Sequence, residues 1–170
     1  MPVQIRDLAP DELSFLGEML YAALAWRPDA ELPPLDVVLA HPEALIYHDG
    51  WGRAGDVALV AEADGRKIGA VWYRFFTEAE HGHGYIDDET PELAIAVVDG
   101  FRGRGIGRRL LEAIHERAQQ DGLERIALSV EPDNPAKRLY ASLGYVDFEP
   151  GDGHGRMILE LKSDGVGLGE

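Results

Sequence analysis

Apolar positions along the chain recur with two periods, and the switches between them outline the elements. Val3–Leu8 opens with strand-like alternation. Pro10-Asp11-Glu12 then starts a stretch to Ala25 with Leu13, Leu16, Leu20, Ala23 and Leu24 at helical spacing, predicting an amphipathic helix that turns those residues inward. Pro28–Pro34 predicts a loop, and Leu35–Ala40 a short helix stopped before Pro42. Val57–Ala63 and Lys67–Phe76 predict strands joined at Asp64-Gly65, a pair suited to a tight hairpin. Thr77–Thr90 is polar and has no period. Leu93–Val98 is almost wholly apolar, as in a central strand covered on both faces.

Helical spacing returns over Ile106–Gln120, and Gln120-Asp121-Gly122 predicts the turn into another buried strand, Arg125–Val130. Residues 134–143 predict a helix with Asn134 as N-cap, Pro135 at the first position and Gly144 as the stop; Ala136, Leu139, Tyr140 and Leu143 share one face. Tyr145–Phe148 and Arg156–Leu161 predict a closing pair of strands around a Gly-rich turn at 150–155, and Ser163–Glu170 a frayed tail. No repeat or second domain is visible, so residues 1–162 are expected to form one domain. The order β-α-α-β-β-β-α-β-α-β-β predicts an α/β fold: a mixed, mostly antiparallel sheet of six or seven strands with helices on both faces.

Composition narrows the chemistry. At 170 residues, 45% of them hydrophobic, the chain can bury a core. It has no cysteine, which excludes disulfides, thiolate catalysis and cysteine-ligated zinc. No apolar run approaches the ~20 residues of a membrane span and no basic-then-apolar leader is present, so the cytoplasm is the expected location. Sixteen basic against thirty-one acidic residues give a net charge of −15, which disfavours nucleic acid and anionic membranes as partners and permits a cationic substrate.

Against that acidic background, Arg102, Arg104, Arg108 and Arg109 surround Arg-Gly-Arg-Gly-Ile-Gly at 102–107, between a buried strand and a helix. A glycine-dense turn into a helix leaves backbone N–H groups unpaired at the positive end of the helix dipole, which suits an anion such as a diphosphate. A dinucleotide fingerprint would need G-x-G-x-x-G, but Arg108 stands where the third glycine belongs; a Walker A loop needs Gly-Lys-Ser/Thr, and no lysine lies between residues 68 and 136.

Arg102-x-x-Gly105-x-Gly107 after a strand resembles the acyl-coenzyme-A loop, Q/R-x-x-G-x-G/A, of the GNAT superfamily of N-acetyltransferases. Downstream, Asn134-x-x-x-x-x-Tyr140 followed by Leu143-Gly144-Tyr145 is similar to that family's other familiar segment. The resemblance runs from about Val57 to Lys162. It implies an acetyl-CoA-dependent N-acetyltransferase acting on a primary amine of a small molecule or a protein N-terminus, in a ternary complex and without a metal. A non-catalytic acyl-CoA-binding sensor of the same fold is the alternative. Homodimers occur among such proteins and are an expectation here. The resemblance further implies that strands 92–98 and 125–131 run parallel and splay apart, with a bulge in the first.

Residue roles follow from the resemblance together with the proton balance of amine acetylation. By resemblance, Ile95, Ala96 and Val97 meet the pantetheine arm through their backbones. Gly103, Arg104, Gly105, Ile106, Gly107 and Arg108 supply amides to the diphosphate, Arg102, Arg104 and Arg108 add charge, and Asn134 and Lys137 approach the cofactor. A lysine-like amine is neutral only about once in ~10³ at pH 7, so a base is expected, and the departing thiolate, with a pKa of about 8.5, needs an acid. Tyr140 stands at the family's general-acid position. Glu92 is the first choice of base; Glu131, Asp87, Asp88 and Glu89 remain open, as does attack by an already neutral amine, whereas Ser129 cannot serve directly. Segment 77–90, with His81 and His83, is expected to govern substrate choice. Trp26, Trp51 and Trp72 read as core or dimer-contact residues, with Trp26 and Tyr21 alternatively lining the acceptor pocket.

Overall fold

The computed structural model describes residues 2–149 and 155–161. Most of the predicted 150–155 turn, and the predicted tail, lie outside them. The strands are β1 (Gln4–Asp7), β2 (Val57–Ala63), β3 (Arg66–Arg74), β4 (Glu92–Val97), β5 (Arg125–Ser129), β6 (Val146–Asp147) and β7 (Arg156–Glu160). The helices are α1 (Leu13–Leu24), α2 (Leu35–Ala40), α3 (Pro42–Leu45), α4 (Ile106–Gln120) and α5 (Ala136–Ser142). The sheet order is β1-β2-β3-β4-β5-β7-β6, antiparallel throughout except for the parallel pair β4–β5.

Pattern explains the layers. The β2–β3 hairpin turns at Asp64 and Gly65, both at positive φ (51° and 74°), the geometry whose twist matches that of the flanking strands. Along β3, Val71 and Tyr73 point into one apolar cluster and Ala70 and Trp72 into another. The first is closed by the α4 stripe Ile106, Leu110, Leu111, Ile114 and Ala118, the second by Phe15, Leu16, Met19 and Leu20 of α1. Gly69 permits the close approach of α4: a Cβ there would sit 3.2 Å from Leu110 Cδ1 and 3.1 Å from the Ala96 carbonyl.

Three expectations need correction. Pro10–Glu12 is a 3₁₀ turn that precedes α1 rather than its first turn. Leu13 and Leu24, the two end residues of α1, are 42% and 46% exposed, and Phe15 and Met19 join Leu16 and Leu20 on the inward face. Pro42 does not merely stop α2: it opens the one-turn α3, whose Glu43 amide donates to His41 Nδ1 at 3.2 Å. Finally, β4 carries no bulge. Its register with β3 is unbroken from Gly69↔Val97 to Arg74↔Glu92, and the shift lies between Ala61 and Glu62 in β2.

The β4–β5 opening comes from the expected divergence alone. The strands share one register pair, Glu92↔Ala127, with the Ala127 amide donating to the Pro91 carbonyl at 3.0 Å. Beyond it β5 stays bonded to β7 through Ser129, and its continuation, Val130, donates to Gly155 at 2.8 Å. A buried ion pair fixes the near end. Arg74, opposite Glu92, meets Asp56 at 2.8 Å and donates through Nη1 to the Ile46 and Asp49 carbonyls, which holds the segment carrying Tyr47 against β4.

Candidate active site

A cleft of about 1070 Å³ fills the space between the diverging strands. Ile95, Ala96 and Val97 line it, and past Glu92 the β5-facing backbone groups of β4 have no ladder partner. Such groups need hydrogen-bond partners, and an extended amide-bearing chain supplies them.

At the far end of β4 the chain turns into α4. Gly103 and Gly105 have φ of +77° and +79°, conformations that L side chains rarely adopt, and Gly105 is the N-cap. The Arg109 amide donates to the Gly105 carbonyl at 3.1 Å, and the amides of Ile106, Gly107 and Arg108 ahead of it have no partner within the helix. Gly107 has a different reason to be small: it sits inside the helix, where a Cβ would touch Leu139 at 3.5 Å. Arg102 lines the cleft, its Nε donating to the Val97 carbonyl at 3.2 Å; Arg108 lines it too, donating to Ser142 Oγ at 2.8 Å. Arg104 lies over the Phe101 ring at 5.4 Å, and Arg109 turns away to the Val3 carbonyl.

Glu92 marks the opposite end. It is 3% exposed, not solvated, and burial pushes its carboxyl up to about 7. The Gly84 amide donates to Oε1, while Oε2 has no hydrogen-bond partner and lies beside the Tyr47 hydroxyl. Gly82 and Gly84 lie so close that a Cβ on either would overlap Tyr47 or Glu92. A buried carboxyl with one oxygen lacking a partner, next to an apolar cleft, is suited to exchanging a proton with a ligand.

Tyr140 projects from α5 into the cleft wall, 8% exposed, and burial pushes its hydroxyl up to about 12. Its ring meets Tyr145 edge-on at 5.7 Å, and the Tyr145 hydroxyl lies 2.7 Å from His115 Nε2. Asn134 lines the cleft and accepts the Ala136 amide at 2.9 Å, but α5 starts one residue later than its sequence suggests, so Pro135 and not Asn134 stands at the N-cap. Lys137 pairs with Asp147 at 3.1 Å outside the cleft lining.

The remaining acids are engaged elsewhere: Asp87 with Arg125 at 2.5 Å, Asp88 with the Tyr85 hydroxyl, Glu131 with Arg27 at 2.6 Å. Trp26 lines the cleft beneath the Arg27 guanidinium, 4.3 Å from the ring; Trp72 is core; Tyr21 donates to the Pro33 carbonyl. Sequence reasoning missed Tyr47, Gly82 and Gly84. The paired glycines in a polar segment were the only available signal, and nothing local points to Tyr47. Among the described residues no three metal-binding side chains converge.

A seven-stranded sheet that parts beside a glycine-built helix start defines an acyl-CoA N-acyltransferase fold. Residues 21–145 match the acetyltransferase (GNAT) family, and the chain belongs to that family. It is 29% identical over 139 residues to the L-2,4-diaminobutyric acid acetyltransferase of Nocardia farcinica, covering 79% of this chain and 64% of that relative. The chain thus spans less than two thirds of that relative's length. Among solved structures, the PaiA N-acetyltransferase of Thermoplasma acidophilum in complex with coenzyme A matches with a TM-score of 0.70 and 17% identity over 94% of this chain and 99% of that one. The GNAT domain of S. lividans PAT matches at 0.66 and 25%, over 94% and 90%.

Proposed function

We propose that the protein is an acetyl-CoA-dependent N-acetyltransferase that passes the acetyl group directly to a primary amine in a ternary complex. The observation that carries this reading is the placement of Glu92, a buried carboxyl held by the Gly84 amide through one oxygen only, and an anion-ready helix start at opposite ends of one half-unpaired strand. Family membership and a neighbour bound to coenzyme A support it.

Bound acetyl-CoA would supply the thioester acyl group. The amides of Gly103 to Arg108 hold the diphosphate, with Arg102 and Arg108 adding charge. The open edge of β4 at Ile95–Val97 aligns the pantetheine arm and offers an N–H to the thioester oxygen. Glu92 takes one proton of the incoming ammonium, and the neutral amine forms the C–N bond at the thioester carbon. As the C–S bond breaks, Tyr140 gives its proton to the departing sulfur, while the second proton leaving the new amide nitrogen returns the tyrosinate to its neutral form. Tyr140 is suited to that role because a tyrosine hydroxyl carries its proton at neutral pH, and burial raises its pKa further, to about 12.

The acceptor is a small-molecule amine or a protein N-terminus. A single unit over residues 1–162, a cytoplasmic location and a homodimer complete the proposal. Among the described residues no helix is long and apolar enough to cross a membrane. The test is thiol release from acetyl-CoA across a panel of primary amines, with the product identified by mass. Release with an acetylated product is expected. Binding of acetyl-CoA with no release from any amine would favour the sensor reading.

A further inference from the structure

A second chamber, of about 440 Å³, opens off the cleft and is walled by Glu43, Tyr47, His81, His83, Tyr85 and Arg156, among others. Glu43, Tyr47 and His83 line both spaces, so the two meet at those side chains, beside the Glu92 carboxyl. The phosphate-ready turn lies at the other end of β4. An amine that presents its nitrogen to Glu92 from this side keeps the rest of its body in the chamber.

The chamber's lining is mixed, and its two charged side chains, Glu43 and Arg156, come from separate elements. Glu43 stands at the throat near Tyr47, on the same side as Glu92, where an ammonium group is favoured. Arg156 is the first residue of β7, opposite Ser129 at the end of β5. Its Nη1 donates to the Tyr85 carbonyl at 2.9 Å, and its guanidinium lies 5.2 Å from the Phe148 ring, so the head group is held from two sides. The Tyr85 bond uses one of five N–H donors in a planar fork. His81 stacks on Tyr85 at 4.3 Å and 19°, a flat wall beside it. A held guanidinium is the side chain best matched to a carboxylate, which it binds through two parallel hydrogen bonds. The volume is at the small end of ligand pockets and suits a compact molecule.

We propose that this chamber is the acceptor subsite and that Arg156 binds a carboxylate in it, making the acceptor an amino acid or another small carboxylate-bearing primary amine rather than a polyamine. The assignment rests on the acetyl-transfer reading above. Zwitterionic acceptors place their ammonium towards Glu43 and Glu92 and their carboxylate on Arg156.

The test compares amines that differ only in the carboxylate: 2,4-diaminobutyrate with 1,3-diaminopropane, lysine with cadaverine, methionine with its decarboxylated amine. In the full-length wild-type protein, kcat/KM is expected to favour the carboxylate member of at least one pair by roughly 10- to 100-fold, the range of a charge-assisted hydrogen bond. Arg156→Gln should collapse that ratio towards one, mainly through KM, and Arg156→Lys should restore part of it. Acetyl-CoA affinity, measured calorimetrically, reports that each variant is folded. Equal or better turnover of every decarboxylated member, or a ratio unmoved in folded Arg156→Gln, overturns the assignment and leaves acetyl transfer standing. Acetyl-CoA binding without thiol release from any pair overturns both.

Discussion

The backbone amide of Gly84 donates into the carboxylate of Glu92, and this contact ties the polar 77–90 segment to the first residue of the splayed strand. Segment 77–90 is therefore a packed cover over a buried carboxyl. It is tethered further by Arg125 on Asp87 and by Arg156 on the Tyr85 carbonyl.

Burial raises Glu92 from its ordinary value of 4.5 to about 7. A raised carboxyl stabilises the fold fully below about pH 4.5, where folded and unfolded chains are both protonated, and loses that contribution as pH rises through 7. Wild-type stability is thus expected to fall relative to Glu92→Gln between pH 4.5 and 7, by about 3 kcal/mol when complete. Urea titrations of both proteins at several pH values measure it. In turnover, the wild-type rate should climb through pH 7 and the Gln variant should lose that limb. An unchanged limb would move the base elsewhere.

Tyr140→Phe should lower kcat by ~10–10³, the usual contribution of a positioned acid. Acetyl-CoA affinity should change little, because the amides of the Gly103–Arg108 turn and the open edge of β4, not the hydroxyl, hold the cofactor in this account. With the hydroxyl pushed up to about 12, no loss of rate from its ionisation is expected up to about pH 10. Stopped and steady-state thiol assays on the variant are the check, and wild-type kcat would remove Tyr140 from the mechanism.

The Arg74–Asp56 pair should dominate the electrostatic part of stability. Both side chains are almost fully buried, at 1% and 2% exposure. Asp56→Ala strands a buried guanidinium and should cost about 3–5 kcal/mol. The Arg27 bridges to Glu131 and Asp133 are exposed to solvent that screens them, and Arg27→Ala should cost far less. Denaturant midpoints rank the two, and an Asp56→Ala cost no larger than that of Arg27→Ala would show that the pair does not anchor the segment.

Local pattern made the strands, the two long helices and the turn at Gly103–Gly105 legible, because periodicity and backbone conformation are written in adjacent residues. Glu92 was legible as a strand-end acid, but its burial was not. That burial comes from Tyr47 on a distant loop and from Gly82 and Gly84, pairings that no short-range pattern encodes. The same limit explains Arg104 and Lys137. Each carries the right charge near the right turn, yet one lies on Phe101 and the other pairs with Asp147. The splay of β4 from β5 was expected from the resemblance and is found, but the bulge expected in β4 is absent, and the divergence follows from which strand β5 bonds to on its other edge.

The central claim is that the turn into α4 holds the diphosphate of acetyl-CoA. Gly105 at φ +79° is the sharpest probe: a β-branched side chain there is strained and stands in the path of a ligand approaching the amides. Calorimetric titration of acetyl-CoA into the wild-type protein and into Gly105→Val, with folding of each confirmed by circular dichroism, is the direct measurement. Saturable binding to the wild type and none to the folded variant is the predicted result. Equal binding to the folded variant, or no binding to the wild type, would contradict the account.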